Sequence, residues 1–295
     1  MSISEPGGRD KRRAIAAAVA ANAFFAVMDA LVKVLTADYP VMQVVCVRAA
    51  VSLVIVLAAL PWFGGWGALR MTRFPAHLLR VGYALIATAC FFFAFRHLPL
   101  ADVYVVGHSA PFFVTILAIF VLGERPGPRR WAAVAAGFVG VVIVLEPWSG
   151  SGGRAAADWA PWAASVGAAF FYALSAVQIR ALSGSATALG MVALFLAVAT
   201  LAGGALSWSE WAPLAARDLA LVAAMGVTGV GGQVFMTLAY RLGPAGLVAP
   251  FEYTGLIWAT GIGFAWFGDA PTLAVIVGGA VVIASGLSIY RREAA

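Results

Sequence analysis

The chain has 295 residues, 63% of them hydrophobic and only 11% charged, with a formal net charge of +6. A soluble domain carries about a quarter of its residues as Asp, Glu, Lys and Arg, so soluble globular folds are excluded. Ten apolar runs of roughly 18 to 22 residues, each long enough to cross about 30 Å of hydrocarbon as a helix, leave too little chain for an independent extramembrane domain.

Residues 1–13, with Arg9, Lys11, Arg12 and Arg13, are expected to form a cytoplasmic N-terminal tail. The Ala-rich run that follows imitates a secretory signal, yet it stays apolar through Phe24, Phe25, Val27, Leu31 and Leu35 and is read as the first span, 14–35. Further spans are expected at 41–60, 77–96, 100–122, 131–146, 158–179, 186–207, 218–240, 245–267 and 272–290. Runs such as 41–60 and 134–145 are apolar on every face, whereas barrel strands alternate over about ten residues. The fold class is therefore all-α and polytopic. Cys46 and Cys90 fall inside spans and make no disulfide or metal framework.

With the N-terminus in the cytoplasm, thirteen Lys and Arg residues of the tails and loops lie on that side and three on the other. That asymmetry obeys the positive-inside rule. Both termini are expected to be cytoplasmic, with the chain as a multi-pass protein of the cell inner membrane. The basic residues are dispersed over separate loops, which disfavours nucleic acid as a partner; the expected partners are the lipid bilayer and a small-molecule substrate, with the protein a monomer or homodimer.

Shifted by 145 residues, the chain matches itself. FRHLPLADV (95–103) falls on YRLGPAGLV (240–248), and in the same register Thr115 meets Thr260, Gly123 meets Gly268, Glu124 meets Asp269 and Pro126 meets Pro271. The expected organisation is a first five-helix repeat, 14–146, a connecting loop, 147–157, a second repeat, 158–290, and a cytoplasmic tail, 291–295. Five is odd, so the repeats face opposite ways, as in secondary transporters whose substrate site lies at the repeat interface.

The stretch LGERPGPRRWAAVAAGFVGVVIV (122–144), the FRHLPLADV turn before it and the arginine of VVCVRAAV in the second span resemble the EamA branch of the drug/metabolite transporter superfamily. The MDALVKVL and YPVMQVVCVR segments look most similar to its riboflavin and S-adenosylmethionine transporting members. The resemblance implies a ten-helix secondary transporter with a central cavity, and other members move amino acids.

Ionisable residues inside spans mark pathways by default. Asp29 and Lys33 share a face of the first span, and Asp29 lies roughly 9 Å from the outer end against roughly 10 Å for Arg48. Asp29 and Arg48 are expected to meet, either as a structural ion pair or as groups that meet a charged substrate or a proton, with Lys33 snorkelling outward. His108 and Ser109 in span 4 match Tyr253 and Thr254 in span 9, and each of these spans carries a proline, Pro111 or Pro250. Interrupted helices at corresponding repeat positions point to a transport site, so both prolines are candidate helix-break and gate residues. Glu252, the one carboxylate expected deep in the cytoplasmic half, is the candidate proton or ion coupling residue together with Asp29; the bland alternative pairs it with Gln233. Substrate-binding candidates are Asn22, Asp29, Arg48, Tyr83, Tyr104, His108, Tyr172, Gln233, Glu252, Tyr253 and Trp258. Glu124 and Arg125 are read as fold and gate residues, with Asp269 their outer counterpart.

An enzyme is not expected, because His77, His97 and His108 lack the spacing of a metal pair and no nucleophile sits with its base. No cofactor or metal is implied. The alternative to a metabolite transporter is a flippase for a small lipid or lipid-linked head group.

Overall fold

The structure, a computed structural model, describes residues 8–123, 127–146, 158–182, 184–243 and 245–293. The proposed gate residues Glu124 and Arg125, the repeat match at Pro126, the connecting loop 147–157 and the ends of both tails lie outside the described residues.

Every backbone N–H and C=O in a bilayer core must find a partner inside the protein, which leaves an apolar chain of this composition little choice but helix. The described residues form twelve α-helices: α1 (Gly8–Asp38), α2 (Val41–Ala59), α3 (Phe74–His97), α4 (Leu100–Gly107), α5 (Ala110–Leu122), α6 (Pro128–Leu145), α7 (Trp159–Ala181), α8 (Ala188–Leu206), α9 (Leu219–Leu242), α10 (Ala245–Glu252), α11 (Thr254–Phe267) and α12 (Leu273–Glu293). α4 with α5, and α10 with α11, are broken halves of two spans, so the helices make ten spanning segments. Among the described residues eight stretches, the α4–α5 pair among them, are long and apolar enough to cross a membrane. The protein is an all-α polytopic membrane protein.

Sequence and structure differ at the ends. α1 starts at Gly8, inside the stretch read as a tail, and α12 continues to Glu293. Helix costs little there: Arg, Lys and Ala are good helix formers, and Asp10 sits in the first turn, where a negative charge suits the helix dipole.

The two breaks have local causes. Gly107 ends α4, and Pro111 occupies the first turn of α5, where its missing N–H would have had no partner in any case. Pro250 lies inside α10, and the helix gives way three residues later at Tyr253. Gly123 and Gly268 end α5 and α11 in the left-handed conformation, at φ 69° and 71°, which glycine adopts without a Cβ penalty.

α1 packs along α9, α3 along α7, α2 along α8 and α6 along α12. The last pair touches backbone to backbone: a Cβ on Gly278 would lie 2.6 Å from the carbonyl oxygen of Gly140, and one on Gly140 would lie 2.8 Å from that of Gly278. Small residues at such crossings let membrane helices gain dispersion contact where no hydrophobic drive exists.

Candidate functional site

The broken helices meet at the centre of the bundle. The rings of His108, which caps the end of α4, and Tyr253, which caps the start of α11, stack at 5.0 Å between centroids. Tyr253 is held in place from behind, because its hydroxyl occupies the space a Cβ would need on Gly286 of α12. His108 Nδ1 lies 2.6 Å from the Tyr104 carbonyl. A carbonyl can only accept, so Nδ1 carries the hydrogen.

A cavity of about 640 Å³ opens around this junction, within the range usual for small-molecule sites. Of the residues singled out in the sequence, Asn22, Asp29, Arg48, Tyr104, His108, Pro111, Tyr172, Glu252 and Tyr253 line it. Its apolar wall comes from Phe91, Phe92 and Phe95 on α3, with Phe25 and Met28 on α1. Arg130, Arg180 and Tyr240 extend the lining toward the ends of α6, α7 and α9.

The expected Asp29–Arg48 ion pair is not formed. Asp29 Oδ2 instead accepts the Tyr104 hydroxyl at 2.7 Å. The Arg48 guanidinium sits 5.4 Å above the Phe92 ring, with Nη1 3.7 Å from Met28 Sδ. Its Nε is buried without a hydrogen-bond partner, and among the described residues no carboxylate lies within ion-pair distance of it. Matching depth puts the two residues in one cavity, but depth says nothing about azimuth, and Tyr104 on α4 reaches Asp29 first.

Lys33 also departs from expectation. Rather than snorkelling, its Nζ lies 2.9 Å from Asp269 Oδ2 and donates to the Leu98 carbonyl, also at 2.9 Å. The ammonium stands 4.9 Å above the Phe267 ring. One side chain thereby ties α1 to the α3–α4 turn and to the end of α11. An exposed pair is worth little, but these groups are only 16% and 25% exposed and Lys33 has two further partners.

Three candidates lie elsewhere. Tyr83 stacks on Phe171, Gln233 is exposed on α9, and Trp258 is 41% exposed; none lines the cavity. Residue type within a span is all that suggests them, and helical phase turns each away from the centre. Glu252 does not pair with Gln233, since its Oε1 accepts the Tyr240 hydroxyl. Pro250 is placed in α10 but is not part of the lining.

Sequence reasoning misses the phenylalanine wall, Arg130, Arg180 and Tyr240. The two arginines enter it only as topology charges, although a cation near a span end can face inward as easily as outward. A signal for Tyr240 exists, because it opens the second copy of the repeated segment.

Residues 12–146 match the model of the EamA-like transporter family. The pseudopaline exporter CntI of Pseudomonas aeruginosa is 32% identical over 280 residues, 94% of this chain and 95% of that protein. The chain belongs to the EamA family. This EamA protein is thus a membrane transporter of the drug/metabolite superfamily and not an enzyme. It is also 32% identical to the riboflavin transporter of Rhizobium johnstonii, over 80% of this chain and 78% of that one. An S-adenosylmethionine uptake transporter of Rickettsia prowazekii is 24% identical over 81% and 79% of the two chains. A solved crystal structure superimposes with a TM-score of 0.64 at 17% identity, covering 94% of this chain and 98% of that one, a likeness of fold alone.

Proposed function

We propose that this EamA protein is a secondary transporter that carries a small organic metabolite across the bacterial inner membrane by alternating access between two inverted five-helix repeats. The observation that carries the proposal is the cavity at the junction of two broken helices, lined by ionisable groups in an otherwise apolar bundle.

Helix boundaries support the repeat. Shifted by 145 residues, α3 (Phe74–His97) coincides with α9 (Leu219–Leu242), α4 (Leu100–Gly107) with α10 (Ala245–Glu252), and the left-handed Gly123 with Gly268. Packing follows the same exchange: α3 on α7 mirrors α9 on α1, and α5 on α7 mirrors α11 on α1.

In the orientation set by the basic loops, with both termini cytoplasmic, Arg130, Arg180 and Tyr240 stand at the inner ends of their helices. The Lys33–Asp269 contact stands at the outer end. The cavity therefore faces the cytoplasm while the outer side is clasped. Glu252, hydrogen-bonded to Tyr240, is the proposed coupling residue, and Asp29, held by Tyr104, is the second ionisable group whose charge a substrate or proton would change.

Relatives that handle riboflavin, S-adenosylmethionine and pseudopaline make a soluble metabolite the proposed cargo. The test is uptake of labelled riboflavin, S-adenosylmethionine and amino acids into proteoliposomes, with and without a pH gradient. Protein-dependent movement of at least one of them is expected. Scrambling of a labelled lipid with no soluble solute moving would instead favour a flippase.

A further inference from the structure

Among the described residues, Arg48 is the charged side chain of the cavity whose partner is missing. It sits on α2, seven residues in from Val41, or roughly 10 Å from the helix end. A guanidinium at such depth is costly to hold, and a buried charge is normally paired. Here the nearby carboxylate, Asp29, acts on Arg48 by charge across the cavity, but its hydrogen bond goes to Tyr104. Arg48 keeps a weak contact to the Met28 sulfur and a face-on contact to Phe92, with Nε buried and unpaired. Those contacts fix the plane of the guanidinium without giving it a hydrogen-bonded anion.

The surroundings select the kind of anion. A guanidinium presents a flat fork of N–H donors that matches the two oxygens of a carboxylate. Phe91, Phe92 and Phe95 make the adjoining wall apolar, which excludes water from that end and strengthens any pairing made there.

Resting on the transporter reading, we propose that the transported solute carries a carboxylate, and that this group docks on Arg48 as the counter-ion the fold itself withholds. Its loading gives Arg48 the direct ion pair that Asp29 does not make, so that Arg48 discriminates acids from their neutral analogues. Glu252, at the α10–α11 break, faces the remainder of the solute.

The test uses matched pairs that differ only at the carboxylate: histidine and histidinamide, methionine and methioninamide, S-adenosylmethionine and its decarboxylated form. Neutral riboflavin is the comparison. Each is assayed for proteoliposome uptake and for thermal stabilisation of the purified full-length protein. At least one acid is expected to move and to stabilise, its partner being weaker by about tenfold or more. Arg48→Gln brings that ratio near one, and Arg48→Lys, which keeps the charge without the fork, leaves it in between.

Equal handling of acid and analogue by the wild type overturns the inference whether or not the variants fold, and so does an unchanged ratio in Arg48→Gln. If riboflavin alone moves, the carboxylate inference fails while the transporter reading stands. If nothing moves, the transporter reading fails, and stabilisation decides the Arg48 inference: preference for an acid sustains it, no preference overturns it.

Discussion

Three ionisable residues well inside the spans, Asp29, Arg48 and Glu252, line the cavity. Asp29 is satisfied by Tyr104, Glu252 by Tyr240 and Arg48 by nothing but sulfur and a ring. Tyr104→Phe removes the hydroxyl that Asp29 accepts and should lower stability by about 1–3 kcal/mol, the cost of leaving a buried acceptor unsatisfied. Much of that loss should return in the Tyr104→Phe, Asp29→Asn double variant, since a neutral amide is less costly to bury than an orphaned carboxylate. Thermal unfolding in detergent measures both, and an absence of coupling between the two positions would mean that the hydrogen bond contributes nothing. Glu252→Gln keeps the shape of the side chain but cannot release a proton. It should abolish accumulation driven by a pH gradient while leaving solute exchange intact, as read by uptake and counterflow in the same proteoliposomes. Gradient-driven uptake at the wild-type level would remove Glu252 from the coupling role. These residues are legible in the sequence because charge in an apolar run is conspicuous. Their partners are not, because helix phase alone does not say that Tyr104 reaches Asp29 before Arg48 does.

At the scale of helices, the sequence shows where the elements lie and less of how they touch. The spans agree with the expected runs to within a few residues, and the proline in each broken span marks it, although the break falls before Pro111 and after Pro250. Hydropathy is blind to which faces meet. The α6–α12 crossing depends on Gly140 and Gly278, whose backbones meet with no room for a side chain. Gly278→Ala should therefore force the helices apart and cost about 1–3 kcal/mol, as overpacking usually does. At Gly82 in α3 a Cβ would meet nothing within 4 Å, so Gly82→Ala should be neutral or stabilising by up to about 1 kcal/mol through helix propensity. Unfolding midpoints of the two variants should differ in sign or clearly in size; equal shifts would show that the crossing is not tightly packed. The phenylalanine wall is hidden in the sequence for a related reason, since phenylalanine is as ordinary against lipid as it is against a cavity.

Across the whole molecule, the Lys33–Asp269 contact and the cavity at the two helix breaks would, in the proposed orientation, make up one state of the proposed alternating-access cycle. Lys33 and Asp269 stand apart in the sequence, one as a cation expected to snorkel and one as half of a repeated motif. Only the fold brings them together, across 236 positions of the chain. In the proposed cycle, solute leaves on the outer side only if that contact separates. The direct measurement is transport with the clasp locked: Lys33 and Asp269 are both replaced by cysteine in a protein whose Cys46 and Cys90 are changed to alanine, and a short reducible bifunctional thiol reagent joins them. With whichever labelled solute the unlocked protein moves, locking should stop transport and reduction should restore it. Transport continuing at the unlocked rate with the cross-link intact would contradict alternating access through this cavity.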